Sequence, residues 1–428
     1  MSSRRDVCEL RHFYVRAAQR KLRPAMTVRS WEWTSAMDTR SNNVKRGATA
    51  VAACALVLAA QLASPALADE RDQAKRIHDR LTGVPPSDAV LGQMAADIGG
   101  GDALRAAERA MEHPAFYTVV LKNFVTPWTN REQTVFAPLN DYTATVIGMV
   151  RDDVAFNTAL SADILYTSNA GGLPGYSQVN NDHYEQAEIR GVDLKATLVR
   201  TTQSSLLGIP PAATAGLMTT RAASQAFFID GTNRAMFRFT LMNHLCRDLE
   251  QVQDTSRPPD RIRQDVSRSP GGDSRIFLNN CIGCHSGMDP FAQAFTYYDF
   301  DETQERLLYT GGTPNPKYFI NADNFKPGFI TPDDSWENRW RKGPNQLLGW
   351  SASLPGAGTG AKSMGEELAS SDAFARCQVE KAFKAVCFRA PVDQGDRGEI
   401  DRITGVFRAG GYRMKQVFAE AAVSCRGS

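Results

Sequence analysis

The chain has 428 residues, enough for one large core or two or three small ones. Its 49 basic against 47 acidic side chains leave a net charge of +2, which removes any electrostatic case for nucleic acid or an anionic membrane surface as partner. A hydrophobic content of 42% with 22% charged residues excludes a globally disordered chain.

The first informative segment runs from Lys45-Arg46 through the apolar stretch Ala48 to Ala60 and closes on Ala66-Leu67-Ala68. A basic start, an apolar middle and a small-x-small site before Asp69 are the three parts of a secretory signal. Cleavage after Ala68 is expected, giving an exported, periplasmic protein with no membrane span. As a permanent anchor the stretch is weak, being Ala-rich and broken by Gln61 and Pro65. Val51-Ala52-Ala53-Cys54 has the look of a lipoprotein processing site, but the apolar run continues past Cys54, which disfavours lipid anchoring. The residues before Met37 include Trp31, Trp33 and charges of both signs, unlike a signal n-region, so translation is expected to start at Met37 or Met26.

The mature chain reads as mainly α: a multi-helix protein with irregular loops around one C-x-x-C-H run, Cys281 to His285, the attachment pattern of a cytochrome c-like haem module. Four segments are expected: an N-terminal helical domain over 69–210, a haem-binding module over 211–310, an irregular loop region over 311–362 and a C-terminal helical domain over 363–428. Ser87-Asp88 suit a helix start that runs to Ile98, and Asp102 suits the next, which stops before Pro114. Asp152-Asp153 suggest another helix over Val154, Ala155, Phe156, Leu160, Ile164 and Leu165. A further helical run covers Thr232 to Leu245, followed by the polar, Pro- and Gly-rich linker from Asp254 to Gly272.

The chemistry sits in Cys281-Ile282-Gly283-Cys284-His285. Two thiols three residues apart on a helical turn reach the two vinyl groups of one porphyrin, while the adjacent imidazole is aimed at iron. With eight Cys and six His in the chain, this pattern is expected by chance only ~0.002 times, so it implies one covalent haem c with His285 as axial ligand. A zinc half-site would need further Cys or His nearby, and none lies between His285 and Cys377. A dithiol redox pair would need a strand leading into it within a parallel α/β pattern, and no such pattern is visible.

The opposite iron position is less determined. Met288 lies one helical turn after His285 on the same side and cannot wrap round the porphyrin. Met364, in Ala361-Lys362-Ser363-Met364-Gly365, is the best placed downstream methionine; Met414 is another. His244 shares a helical stripe with Phe237 and Leu241, which reads as a core position before a ligand position. Met218, Met236 and Met242 rank below it.

Tyr309 to Pro344 is rich in Gly, Pro, Asn and aromatics and reads as an irregular loop with a short hairpin. There Trp336, Arg339, Trp340 and Arg341 are read either as a solvent-facing loop or as a cover for the haem edge that pairs with its propionates. The final segment is helical, with a cap at Ser370-Ser371-Asp372, a helix through Phe388 and a last helical stretch from Asp401 through Met414 to Val423. Cys377 and Cys387 fall on one helix about 15 Å apart, so they cannot bond to each other. Cys246 and Cys425 are their available partners, in either of two pairings.

Three blocks resemble the planctomycete-type cytochrome c proteins, which are assembled from helical domains of unknown function around one haem motif. Cys281, Cys284, His285, Met288, Asp289 and Pro290 match the family's central pattern and Asp299 a later one, while Ala292, Thr296 and Tyr298 depart from it. Leu368 to Arg389 with Gly410-Gly411-Tyr412 is similar to the C-terminal domain, and Arg80 to Pro86 with His113-Pro114-Ala115-Phe116 to the N-terminal one. The resemblance implies haem, export and a helical fold but no substrate. The expected function is electron transfer to or from a redox partner protein or oxidoreductase; the alternative is a haem enzyme, peroxidase- or oxygenase-like, with an open sixth iron position.

Overall fold

Acidic first turns and side-chain caps start the helices at the N-terminal end of the described chain. The computed structural model describes residues 69–229, 231–319 and 322–427, so the expected signal segment and both candidate start methionines lie outside the described residues. Helix α1 (Glu70–Thr82) carries Glu70 and Asp72 in its first turn and buries Ala74, Ile77, His78 and Leu81 along one stripe. The Ser87 hydroxyl accepts from the Val90 amide to cap α2 (Asp88–Gly99), and Asp102 accepts from Arg105 to cap α3 (Ala103–Met111), as expected. Beyond them, α4 (Asp141–Arg151) is buried from Asp141 to Val150 and forms the centre of the core. Gly148 on α4 lets the Tyr166 ring close on the helix backbone, where an added Cβ would lie 2.3 Å from the ring.

The helix expected over 154–165 does not form. Asp153 takes a left-handed backbone (φ 52°) that ends the helical path; a short 3-10 turn follows at Phe156–Thr158. Leu165 belongs to strand β1 (Leu165–Ser168), paired antiparallel with β2 (Leu198–Thr201), Leu165 opposite Thr201. The apolar spacing was equally compatible with buried turns and a strand, and cross-chain pairing decided it.

Helix α5 (Arg234–Thr240) widens into a π-helical turn at Leu241–Leu245 and stops at Cys246, whose φ of 53° reverses the chain. Helix α6 (Ile282–Ala292) carries the motif and leads to the hairpin β3 (Tyr298–Asp301) and β4 (Arg306–Tyr309). A second small pair, β5 (Ser335–Glu337) with β6 (Ala357–Thr359), precedes α7 (Gly360–Ala369), α8 (Asp372–Cys387), α9 (Gln394–Ala409) and α10 (Met414–Ser424). Ser371 caps α8 as the sequence suggested.

Described residues are 56% helical and 7% strand, a mainly α protein. Helix α10 packs on α3 and α1, so the two ends of the described chain share one core, and residues 70–427 make one compact unit. Disulfides Cys246–Cys377 and Cys387–Cys425 settle the two pairings left open by the sequence. Both Cys377 and Cys387 lie on α8 and bond to different neighbours. No helix among the described residues is long and apolar enough to cross a membrane.

Candidate functional site around His285

A π-helical turn at Phe277–Cys281 delivers the chain into α6, so the two cysteines and His285 fall on the first turn of that helix and the residue before it. Cys281 is buried, its sulfur 3.8 Å from the Ile276 carbonyl oxygen; the half-buried Cys284 lies 3.5 Å from that of Leu249. Cys281 is disulfide-bonded. The three donors do not converge as a metal cluster: among the described residues no group of three His, Cys, Asp or Glu side chains is placed to hold an ion.

The imidazole of His285 is 3% exposed and its Nδ1 lies 3.1 Å from Oδ1 of Asp289, one turn along the same face of α6. An ionised carboxylate only accepts, so Nδ1 carries the proton and, in the neutral ring, Nε2 presents its lone pair. No described residue hydrogen-bonds that Nε2. This is the arrangement of a metal-binding histidine fixed by a carboxylate behind it.

Asp289 is itself held from a distance. Arg234 on α5 donates to it through Nε (2.8 Å) and Nη2 (3.0 Å) and turns its other edge to Asp265 at 2.7 and 2.9 Å. The backbone amide of Arg263 donates to Oδ2 of Asp289 at 3.4 Å, and the Arg263 guanidinium bonds Thr232 at 2.7 Å above the Tyr318 ring. Two arginines and two aspartates thus balance in charge in a buried layer behind His285. Burial alone would push the Asp289 carboxyl up, but Arg234, His285 and Arg263 outweigh it and hold it well below the usual carboxylate range. The same opposition leaves the Arg234 guanidinium raised well above its ordinary value and Asp265 lowered.

The opposite face of α6 is gripped by aromatics. Gly287 lies two residues from His285, about 200° round the helix, and an added Cβ there would meet the Trp340 indole nitrogen at 2.0 Å. Trp340 is fully buried against Phe237 and Phe291, and Phe291 stacks on Trp336 at 5.3 Å. The solvent-facing reading of this loop is therefore overturned: its aromatics are core. Arg339 pairs with Asp260 and Glu337, and Arg341 binds Glu367 through two bonds of 2.8 and 2.7 Å, so both are committed to protein carboxylates.

Of the proposed distal ligands, Met364 is fully buried on α7, a helix that packs on the turns at 156–158, 211–213 and 293–295, none of which carries a motif residue. Met288 is buried one turn beyond His285, as its spacing required, and Met414 is buried on α10. His244 is a core residue: its Nε2 lies 2.8 Å from the Tyr142 hydroxyl, with Trp128 edge-on and Phe374 parallel to the ring. Met218 and Met236 line, with His244 and Tyr142, a cavity of about 10 Å3, the space of one water.

Sequence reasoning missed the layer of Asp289, Arg234 and Asp265. The four-residue step from His285 to Asp289 was a usable signal; Arg234, fifty-five residues before Asp289, left none. No protein-family model matches the chain, and no curated protein or solved structure does either.

Proposed function

We propose that the protein is an exported c-type cytochrome that carries one haem bonded through Cys281 and Cys284, with Nε2 of His285 on the iron, and that it passes electrons to or from a partner oxidoreductase in the periplasm. The observation that carries this reading is the His285 imidazole: on the helix that opens directly after Cys281 and carries Cys284, its Nδ1 is tied to a carboxylate while no described residue bonds its Nε2. Thiols that reach porphyrin vinyl groups while the imidazole meets iron have no need to converge on one point, unlike zinc ligands. A thioether at Cys281 needs its sulfur as a thiol, so the disulfide there has to be reduced before haem is attached. When bound, the haem supplies a one-electron couple; the chain supplies two covalent tethers, one axial ligand and the packing that keeps α6 rigid.

A second reading, a haem enzyme with the sixth position open to peroxide or oxygen, is favoured by the packing of Met364 among turns that carry no motif residue. Haem staining of the exported protein after denaturation tests the first step: stain is expected in the wild type and lost in Cys281→Ser/Cys284→Ser. Persistence of stain in that double variant would falsify the attachment. The optical spectrum then separates the readings, since a low-spin form with a methionine-to-iron charge-transfer band supports electron transfer and a high-spin ferric form supports the enzyme.

A further inference from the structure

The carboxylate behind His285 is more than a tether for a ring. We propose that Asp289 is a positioning residue that sets the reduction potential of the iron bound by His285, with Arg234 and Asp265 as the layer that fixes its geometry; this inference rests on the haem reading above.

The argument runs from the hydrogen bond outward. A histidine Nδ1–H that donates to an anion gains imidazolate character, which makes Nε2 a stronger donor and favours the more positively charged, oxidised state of the iron. Here the acceptor is a carboxylate at 3.1 Å, fully enclosed, with no water-facing edge to weaken it. Both of its oxygens are also engaged by Arg234, at 2.8 and 3.0 Å, so the carboxylate cannot rotate away from the ring. Arg234 is in turn fixed by two bonds to Asp265. Asp289 balances the second arginine of the layer, Arg263, at 3.9 Å, and it is placed where it meets the imidazole as well. The layer is also built from three separate segments, α5, the 263–265 segment and α6, which converge on one carboxylate.

The test is a redox titration of the full exported protein, read by optical absorbance, with Asp289→Asn as the main variant. Asparagine keeps the shape and still accepts from Nδ1 through its oxygen, but removes the charge. At a fixed ambient potential the reduced-to-oxidised ratio is expected to rise at least tenfold, a 59 mV shift for a one-electron couple. The iron–histidine stretching frequency is expected to fall with it, and Asp289→Glu should return the ratio towards the wild type. Asp265→Asn, which leaves the Asp289–His285 pair in place, should move the ratio in the same direction by about threefold, and it decides the matter if Asp289→Asn does not fold. Haem-loaded variants whose potentials coincide with the wild type overturn this inference and leave the haem reading intact. A wild-type protein that carries no covalent haem overturns both.

Discussion

His285 and His244 are both buried, 3% and 2% exposed, and both lie on helical segments lined with aromatics, yet their ring nitrogens meet opposite kinds of partner. Nδ1 of His285 faces a carboxylate, and no described residue bonds its Nε2. His244 has its Nε2 taken by the Tyr142 hydroxyl and, nearby, the Lys381 cation, which lies 4.3 Å over the Trp128 ring. Burial first, and then Lys381, push His244 down to about 3. Burial therefore does not mark a functional histidine. The two differ in the group at the bonded ring nitrogen, an anion for His285 and a neutral hydroxyl with a cation nearby for His244, whose ring stays neutral.

The comparison breaks most severely at Arg234. Replacing it with alanine leaves Asp289 and Asp265 buried without their shared partner, and removal of one member of such a network costs ~3–5 kcal/mol. Urea unfolding of Arg234→Ala should show that loss; a cost under ~1 kcal/mol would mean that the layer behind His285 is not held by this arginine. On the His244 side the comparable restraint is covalent, since Cys246–Cys377 ties the segment just after His244 to α8 across 131 residues. Its removal by paired serine substitutions should cost ~2–5 kcal/mol, roughly 1 kcal/mol more than removal of Cys387–Cys425, which closes only 38 residues. Equal losses from the two pairs would show that loop length is not what sets their contribution. Next in size is Gly287→Ala, which drives a methyl into the buried Trp340 ring and should cost about 3 kcal/mol, the upper end for overpacking, with a change in tryptophan fluorescence. Unchanged stability and fluorescence there would show that the aromatic grip on α6 is loose.

The parts legible in the sequence were those whose causes are local. Ser87, Asp102 and Ser371 cap helices through bonds to residues three positions on, so a short window contains the whole interaction. Cys281, Cys284 and His285 are likewise a single window. Illegible were features set by distant partners. Leu165 looked helical because nothing near it names Thr201 as its strand partner. Trp336 and Trp340 looked like surface because their packing partners, Phe237 and Phe291, belong to other segments. Asp289 lies between these cases: its spacing from His285 was readable, but the arginine and second aspartate that give it meaning were not.

The smallest effect is a pH slope that comes from His244. In the unfolded chain His244 takes up a proton near pH 6.5, whereas in the folded protein it stays neutral down to about 3. Between those values the unfolded state binds the extra proton, so this histidine makes stability fall as pH is lowered through 6.5 and contributes nothing above it. From pH 7.5 to pH 5 the loss due to this one group should be about 2 kcal/mol. His244→Gln keeps a partner for the Tyr142 hydroxyl but cannot titrate, so its stability should fall less steeply over that interval by the same amount. Urea midpoints measured at both pH values decide it. Parallel pH profiles for the variant and the wild type would mean that His244 gains its proton in the folded protein too.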